Sequence, residues 1–181
     1  FGSRVTVIER GPRLTSREDE DVSDAIRGIL EREGITVITD AHDIRFAKHD
    51  KGFEVTPRSG AEPVLGTHAL IAVGRQPNTD DLGLDAAGVE VDDELRTSVP
   101  HIWAMGDCNG KGAFTHTSYN DFEIVAGNLL DNDPRRVSDR IPTYALYIDP
   151  PLGRAGMTVA QVRESGRRAL VGIRPMTRVG R

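Results

Sequence analysis

"TSVPHIWAMGDC", Thr97 to Cys108, decides the fold. A short apolar segment, Ile102 to Met105, runs without a spacer into a glycine and a carboxylate, Gly106 and Asp107. Doubly wound α/β sheets bind ligands at the carboxyl ends of their strands, and a strand over Ile102 to Met105 would put Asp107 there. A carboxylate so placed accepts hydrogen bonds from polyol hydroxyls. Cys108 beside it is the only cysteine in the chain. It has no second thiol for a redox pair and no adjacent base to stabilise a thiolate, so it reads as a small, semi-buried side chain next to the residue that binds.

Upstream, Val5 to Ile8 is β-branched throughout and mostly apolar, which suits a strand buried on both faces of a parallel sheet. From about Glu18 to Glu33, Val22, Ala25, Ile26, Ile29 and Leu30 recur at helical spacing, with acidic residues in the first turn and Gly34 placed to stop the helix. "ITVITD" is the next strand, and strand, helix, strand in this order predicts a parallel βαβ unit. Glu9 ends the first strand. At the end of the second strand of a dinucleotide-binding unit a carboxylate can accept hydrogen bonds from both adenosine ribose hydroxyls and repel a 2′-phosphate, and Glu9 is either such a residue or simply an exposed glutamate closing a strand. The Gly-x-Gly-x-x-Gly turn that completes such a site is not among these residues.

Two alternating runs, Ile44 to Ala47 and Phe53 to Thr56, flank "KHDKG" and predict a hairpin. Ala69 to Val73 reads as a buried strand ended by Gly74. "AVGRQPN" is a sharp strand exit with a glycine where backbone can approach a ligand, or a plain strand-to-turn signal. Loops and short strands are expected from there to Ile102, a helix over about Ser118 to Leu130, and a linker between about Asp131 and Ile141. The tail alternates "TYALYID" as strand, "PPLGRAG" as turns, "TVAQVRES" as helix and "ALVGIRPM" as strand.

The 181 residues are 38% hydrophobic and 28% charged, with a net charge of −5. That is ordinary for a globular protein, carries no basic footprint for nucleic acid and holds no apolar run long enough to span a bilayer. One cysteine cannot form an internal disulfide, so a cytoplasmic setting is expected. His42, His49, His68, His101 and His116 show no metal-ligand spacing and are expected in surface or loop positions. The chain opens at Phe1 without methionine, close to its first strand, and is expected to be a piece of a longer polypeptide.

"AVGRQPN", "TSVPHIWAMGD" and "PPLGRAGMTVAQVRESG", in this order and spacing, resemble the FAD-dependent pyridine nucleotide-disulfide oxidoreductases, the group of dihydrolipoamide dehydrogenase, glutathione reductase and mercuric reductase. The resemblance covers nearly the whole chain. It implies an α/β fragment of a flavoprotein with two Rossmann-like dinucleotide-binding domains. Residues 1–73 would be the later part of the NAD domain, 74–140 the return segment of the FAD domain, and 141–181 the start of an α+β dimerisation domain.

Carried over, Glu9 is similar to the family's ribose-binding acid, Gly74 to the glycine beside the nicotinamide dinucleotide, and Asp107 to the aspartate that holds the flavin's ribityl chain. Arg75 and Gly106 flank these positions and join the cofactor-binding set. The implied cofactors are FAD and NADH. NADPH-using relatives carry arginine in place of Glu9 and again where this chain has Thr15, although Arg10 and Arg13 nearby keep NADPH open. "FTHTSYNDFEIV" would begin the helix whose N-terminus lies near the flavin, where backbone amides favour negative charge. This stretch departs from dihydrolipoamide dehydrogenases and looks closer to a mercuric-reductase-like branch that includes bacterial reactive-chlorine-resistance flavoproteins.

The activity implied is hydride transfer from nicotinamide to flavin, then electron transfer through a Cys-x-x-x-x-Cys pair to a disulfide or metal-ion acceptor, in a homodimer. Neither that cysteine pair nor the C-terminal His-Glu pair of many members is among these residues, so no catalytic residue is named. Two alternatives stand beside this reading. One is the related class of flavin NADH oxidases and ferredoxin reductases, against which Ile141 to Met176 folded as a sheet contacting a second subunit would speak. The other is a truncated, non-catalytic chain that binds nothing.

Overall fold

The computed structural model describes residues 2–57, 62–78 and 91–179. In chain order its regular elements are β1 (Thr6–Ile8), α1 (Glu20–Arg32), β2 (Thr36–Ile38), β3 (Arg45–His49), β4 (Gly52–Thr56), β5 (Val64–Gly66), α2 (Thr115–Ala126), β6 (Thr143–Leu146), β7 (Leu152–Ala155) and α3 (Val159–Glu164). They fall into two compact units, Phe1–Ala72 with Met157–Arg181, and Val73–Gly156.

In the first unit β1 and β2 pair in parallel, Thr6 opposite Thr36 and Ile8 opposite Ile38, with α1 as the crossover. This is the expected βαβ unit. Ile26 is buried on the inner face of α1, worth roughly 2 kcal/mol by the usual area arithmetic. Ser23 joins it by donating its hydroxyl to the Leu14 carbonyl, while Ala25, expected on that face, is exposed. The helix stops at Gly34, whose φ of +83° only glycine adopts freely. There the Gly34 amide reaches the Glu31 carbonyl and the Ile35 amide the Leu30 carbonyl, both at 3.0 Å, closing the last turn.

The predicted hairpin forms as β3 and β4, antiparallel, turning at Asp50 and Lys51. A third strand, β5, adds to β4, with only Val64 to Gly66 to mark it in the sequence. At α3, Thr158 and Gln161 form a reciprocal capping box. Asp19 adds a second cap, its two carboxylate oxygens accepting the Val159 and Ala160 amides at 2.8 and 2.9 Å.

The second unit is built on Leu95 and Ile124, both buried. α2 starts earlier than expected and gives way at Gly127–Asp131 to a wider helical turn. β6 and β7 pair antiparallel, Thr143 opposite Ala155 and Leu146 opposite Leu152.

Several expectations change. Ala69 to Val73 forms no strand, and Leu70 and Val73 are 91% and 89% exposed. A parallel strand buried on both faces needs a neighbour on each edge, and the parallel sheet of the described residues has two strands only, β1 and β2. For the same reason β1 is half-buried rather than buried. The apolar run at Ala169 to Met176 likewise has no strand, its Leu170 and Ile173 lying exposed. Ile102 to Met105 holds a single bridge, Trp103 to Arg96, in place of a strand. "PPLGRAG", expected as turns, contains β7, because β6 offers it a ladder partner. The loops expected over 79–90 lie outside the described residues.

Candidate functional site

Glu9 follows β1 directly and extends its ladder, its amide donating to the Ile38 carbonyl at 2.8 Å. One carboxylate oxygen, Oε1, accepts the Gly11 amide at 2.7 Å, which orients the side chain in the loop beyond the strand. Arg13 in the same loop donates from Nη2 to the Ser16 and Glu18 carbonyls at 3.4 and 3.3 Å. Its guanidinium therefore braces the loop. Thr15 holds a positive φ of +48° there.

The other four sequence-predicted residues belong to the second unit. Gly74 has φ +122°, and a Cβ built on it would meet nothing within 4 Å. Arg75 and Asp107 come together, Nη1 to Oδ2 at 3.2 Å, with side chains 78% and 55% exposed. A pair this open contributes at most about 1 kcal/mol and leaves both groups accessible.

Asp107 sits in a tight 3₁₀ turn, Gly106–Asn109. Gly106 starts it buried and with φ +76°, where a Cβ would come 2.9 Å from Ser118 Oγ. Cys108 is exposed rather than semi-buried, because the turn that buries Gly106 swings the next residues outward. Its thiol donates to the Met105 carbonyl at 3.2 Å.

The residues that hold this turn were not singled out in the sequence. Asp121 on α2 is fully buried, and its Oδ2 accepts the Gly106 amide at 2.9 Å and Asn109 Nδ2 at 2.7 Å. The Arg140 guanidinium donates to Oδ1 of Asp121 and, through Nε, to Asn120 Oδ1 at 2.7 Å. A signal existed: Thr117, Asp121 and Ile124 share one helix face and are the buried residues of α2, so an aspartate stood where an apolar residue belongs.

Elsewhere in this unit Ser138 donates its hydroxyl and its amide to Asp93 at 2.6 and 3.0 Å. The hydroxyl bond foremost holds the Asp93 carboxyl below its ordinary range. The rings of Phe114 and His116 stack at 5.3 Å and those of Phe114 and Tyr144 at 6.4 Å, beside an open groove of about 430 Å³. His116 Nε2 lies 2.9 Å from the Thr143 carbonyl, an acceptor only, so that nitrogen carries the proton. All five histidines are exposed, and the described residues hold no cluster of three or more metal-ligating side chains. No helix among them is long and apolar enough to cross a membrane.

Known proteins resemble this chain throughout. Over 176 residues it is 39% identical to the probable pyridine nucleotide-disulfide oxidoreductase RclA of Escherichia coli (strain K12), a match covering 92% of this chain and 39% of RclA. Mercuric reductase of Streptomyces lividans is 35% identical over 176 residues, covering 92% of this chain and 37% of the reductase. The solved structure of the HOCl-induced flavoprotein disulfide reductase RclA from Escherichia coli superimposes with a TM-score of 0.82 at 38% identity, over 92% of this chain and 40% of that one. The chain thus spans about two fifths of the length of these relatives. Its α/β fold is that of part of a Rossmann-like, FAD- and NAD-binding flavoprotein. The sequence pattern of the pyridine nucleotide-disulphide oxidoreductases matches residues 1–121, and the chain belongs to that family.

Proposed function

We propose that this chain is part of a flavoprotein oxidoreductase that passes electrons from NAD(P)H through FAD to a disulfide or metal-ion acceptor. The observation that carries the reading is Asp107: an accessible carboxylate on a rigid turn, anchored from behind by a buried aspartate. Such a group suits a ribityl hydroxyl, an uncharged donor that needs an acceptor at a fixed place. Gly106 and Arg75 flank it, and Gly74 leaves room for a close backbone approach. When bound, FAD supplies hydride acceptance from nicotinamide and onward electron transfer.

At the nucleotide side the same reading assigns the adenosine ribose to Glu9. Two features favour NADH over NADPH. The Glu9 charge opposes a 2′-phosphate, and Arg13, one of the two nearby cations that would welcome one, is engaged by loop carbonyls. The domain reading is that 1–73 completes an NAD domain, 74–140 an FAD domain, and 141–181 opens a dimerisation domain. A cytoplasmic homodimer, with its redox cysteine pair outside these residues, is the assembly we propose. The mercuric reductase and RclA similarities favour the disulfide- or metal-ion-acceptor reading over an oxidase reading, as both relatives carry reductase or disulfide-oxidoreductase names.

The test is made on the full-length polypeptide that carries these residues. It should purify with bound flavin, bleach under anaerobic NADH more readily than under NADPH, and sediment as a dimer. Asp107→Ala should release the flavin. A full-length protein that neither holds FAD nor quenches its fluorescence on titration would overturn the reading.

A further inference from the structure

We infer that Asp121 and Arg140 form a positioning pair that aims the Asp107 carboxylate at the flavin's ribityl hydroxyls, an inference that rests on the flavin reading of Asp107. The turn Gly106–Asn109 has no side-chain cap at its start, and its preceding residue, Met105, is extended. Its two ends are instead tied to one atom: Asp121 Oδ2 accepts the Gly106 amide and Asn109 Nδ2. Asp107 lies between these two ties. Its direction is therefore set by where Oδ2 sits.

That position is set in turn by Arg140. Asp121 is 0% exposed, and a carboxylate buried there without a counter-charge would be strongly destabilising. The Arg140 guanidinium, with a side chain only 14% exposed, meets Oδ1 and is itself steered by Asn120. Three donors thus converge on two oxygens. A carboxylate, which only accepts, satisfies all three, whereas an amide of the same shape must turn its NH₂ toward Arg140 or toward the turn. The requirement is for a carboxylate, and its consequence is felt at Asp107.

The test is a double-mutant cycle in FAD affinity of the full-length apoprotein, read by flavin fluorescence quenching, with the apoprotein melting midpoint recorded alongside. Asp121→Asn should weaken FAD about tenfold in the native background, a loss near 1.4 kcal/mol. In the Asp107→Ala background it should weaken FAD less than about twofold, because the pair acts through Asp107. Adding Arg140→Gln to Asp121→Asn offers the new amide an acceptor and should recover part of the affinity. Should Asp121→Asn not fold, Arg140→Lys, which keeps the charge and loses the fork, carries the same cycle. Equal losses in both backgrounds would make the pair merely structural and overturn the inference, as would an unchanged affinity in Asp121→Asn while Asp107→Ala loses FAD. Native affinity in Asp107→Ala would instead bring down the flavin reading itself.

Discussion

Glu9 and Asp107 are both carboxylates at the end of an apolar segment, yet they are supported in different ways. Glu9 leaves a paired strand, its amide still on the ladder, and its side chain is oriented by Gly11, a near neighbour in sequence. Asp107 leaves a segment with a single bridge, and its turn is held by Asp121 and Arg140 from other elements. The first support is local and cheap to disturb. The second concentrates a buried charge pair behind one turn, so damage there spreads.

The largest expected effect breaks that second support. Asp121→Ala should cost about 3 kcal/mol, since it leaves the Arg140 charge and the Gly106 amide without their acceptor. Glu9→Ala should cost about 1 kcal/mol or less, since it removes a single half-buried hydrogen bond to its neighbour Gly11. Urea denaturation of the two variants compares them directly, and similar midpoints would erase the distinction drawn here.

Glycine substitutions sharpen the same contrast. Gly106→Ala combines a left-handed φ of +76° with a Cβ 2.9 Å from Ser118 Oγ, and should cost about 1–2 kcal/mol. Gly11→Ala places its Cβ 3.3 Å from Glu9 Oε1, the far end of a side chain that can shift by a few tenths of an ångström and keep its hydrogen bond, and should stay within about 0.5 kcal/mol. Combining Gly106→Ala with Ser118→Ala should recover the contact part only. Thermal melts that rank the two glycines the other way would contradict the geometry.

Glu9→Gln should leave stability alone and narrow the preference for NADH by about 1 kcal/mol, roughly fivefold. Steady-state comparison of the two nucleotides in the full-length protein measures it. Smaller still, Arg75→Gln should change stability by less than about 0.5 kcal/mol, because its pair with Asp107 is exposed, and any effect should fade in high salt.

The pH dependence tied to Asp93 is the most local effect. Its carboxyl is held below the ordinary range, so the folded state prefers it ionised, and the stability it adds is present above the unfolded value and lost as pH falls through the folded one. Ser138→Ala should move the Asp93 titration upward, as carboxyl NMR would show. An unmoved titration would take the hydroxyl out of the explanation.

Much of the first unit was legible because its signals are short-range. The 3.6-residue recurrence around Ile26, the acidic first turn and Gly34 define α1, and the alternation on either side of "KHDKG" defines the hairpin. Ala69 to Val73 and Ala169 to Met176 misled for a physical reason. Apolar composition marks a wish to be buried, but a strand exists only where another backbone offers a ladder. β7 shows the converse, a glycine-containing stretch made a strand by its partner.

The sequence by itself determined the limits of α1 and the two carboxylates at the ends of apolar segments, which depend on residues a few positions apart, the parallel βαβ unit, which follows from the order of such local elements, and the family, which follows from three blocks in a fixed order. Only the tertiary structure decided that Asp121 and Arg140 stand behind Asp107, that Asp19 caps α3 and that Arg13 is engaged by its own loop. Those contacts join donors and acceptors that the chain must bring together before either can be desolvated. A hydrogen bond is a matter of a few tenths of an ångström and of angle, and neither is written in the order of residues.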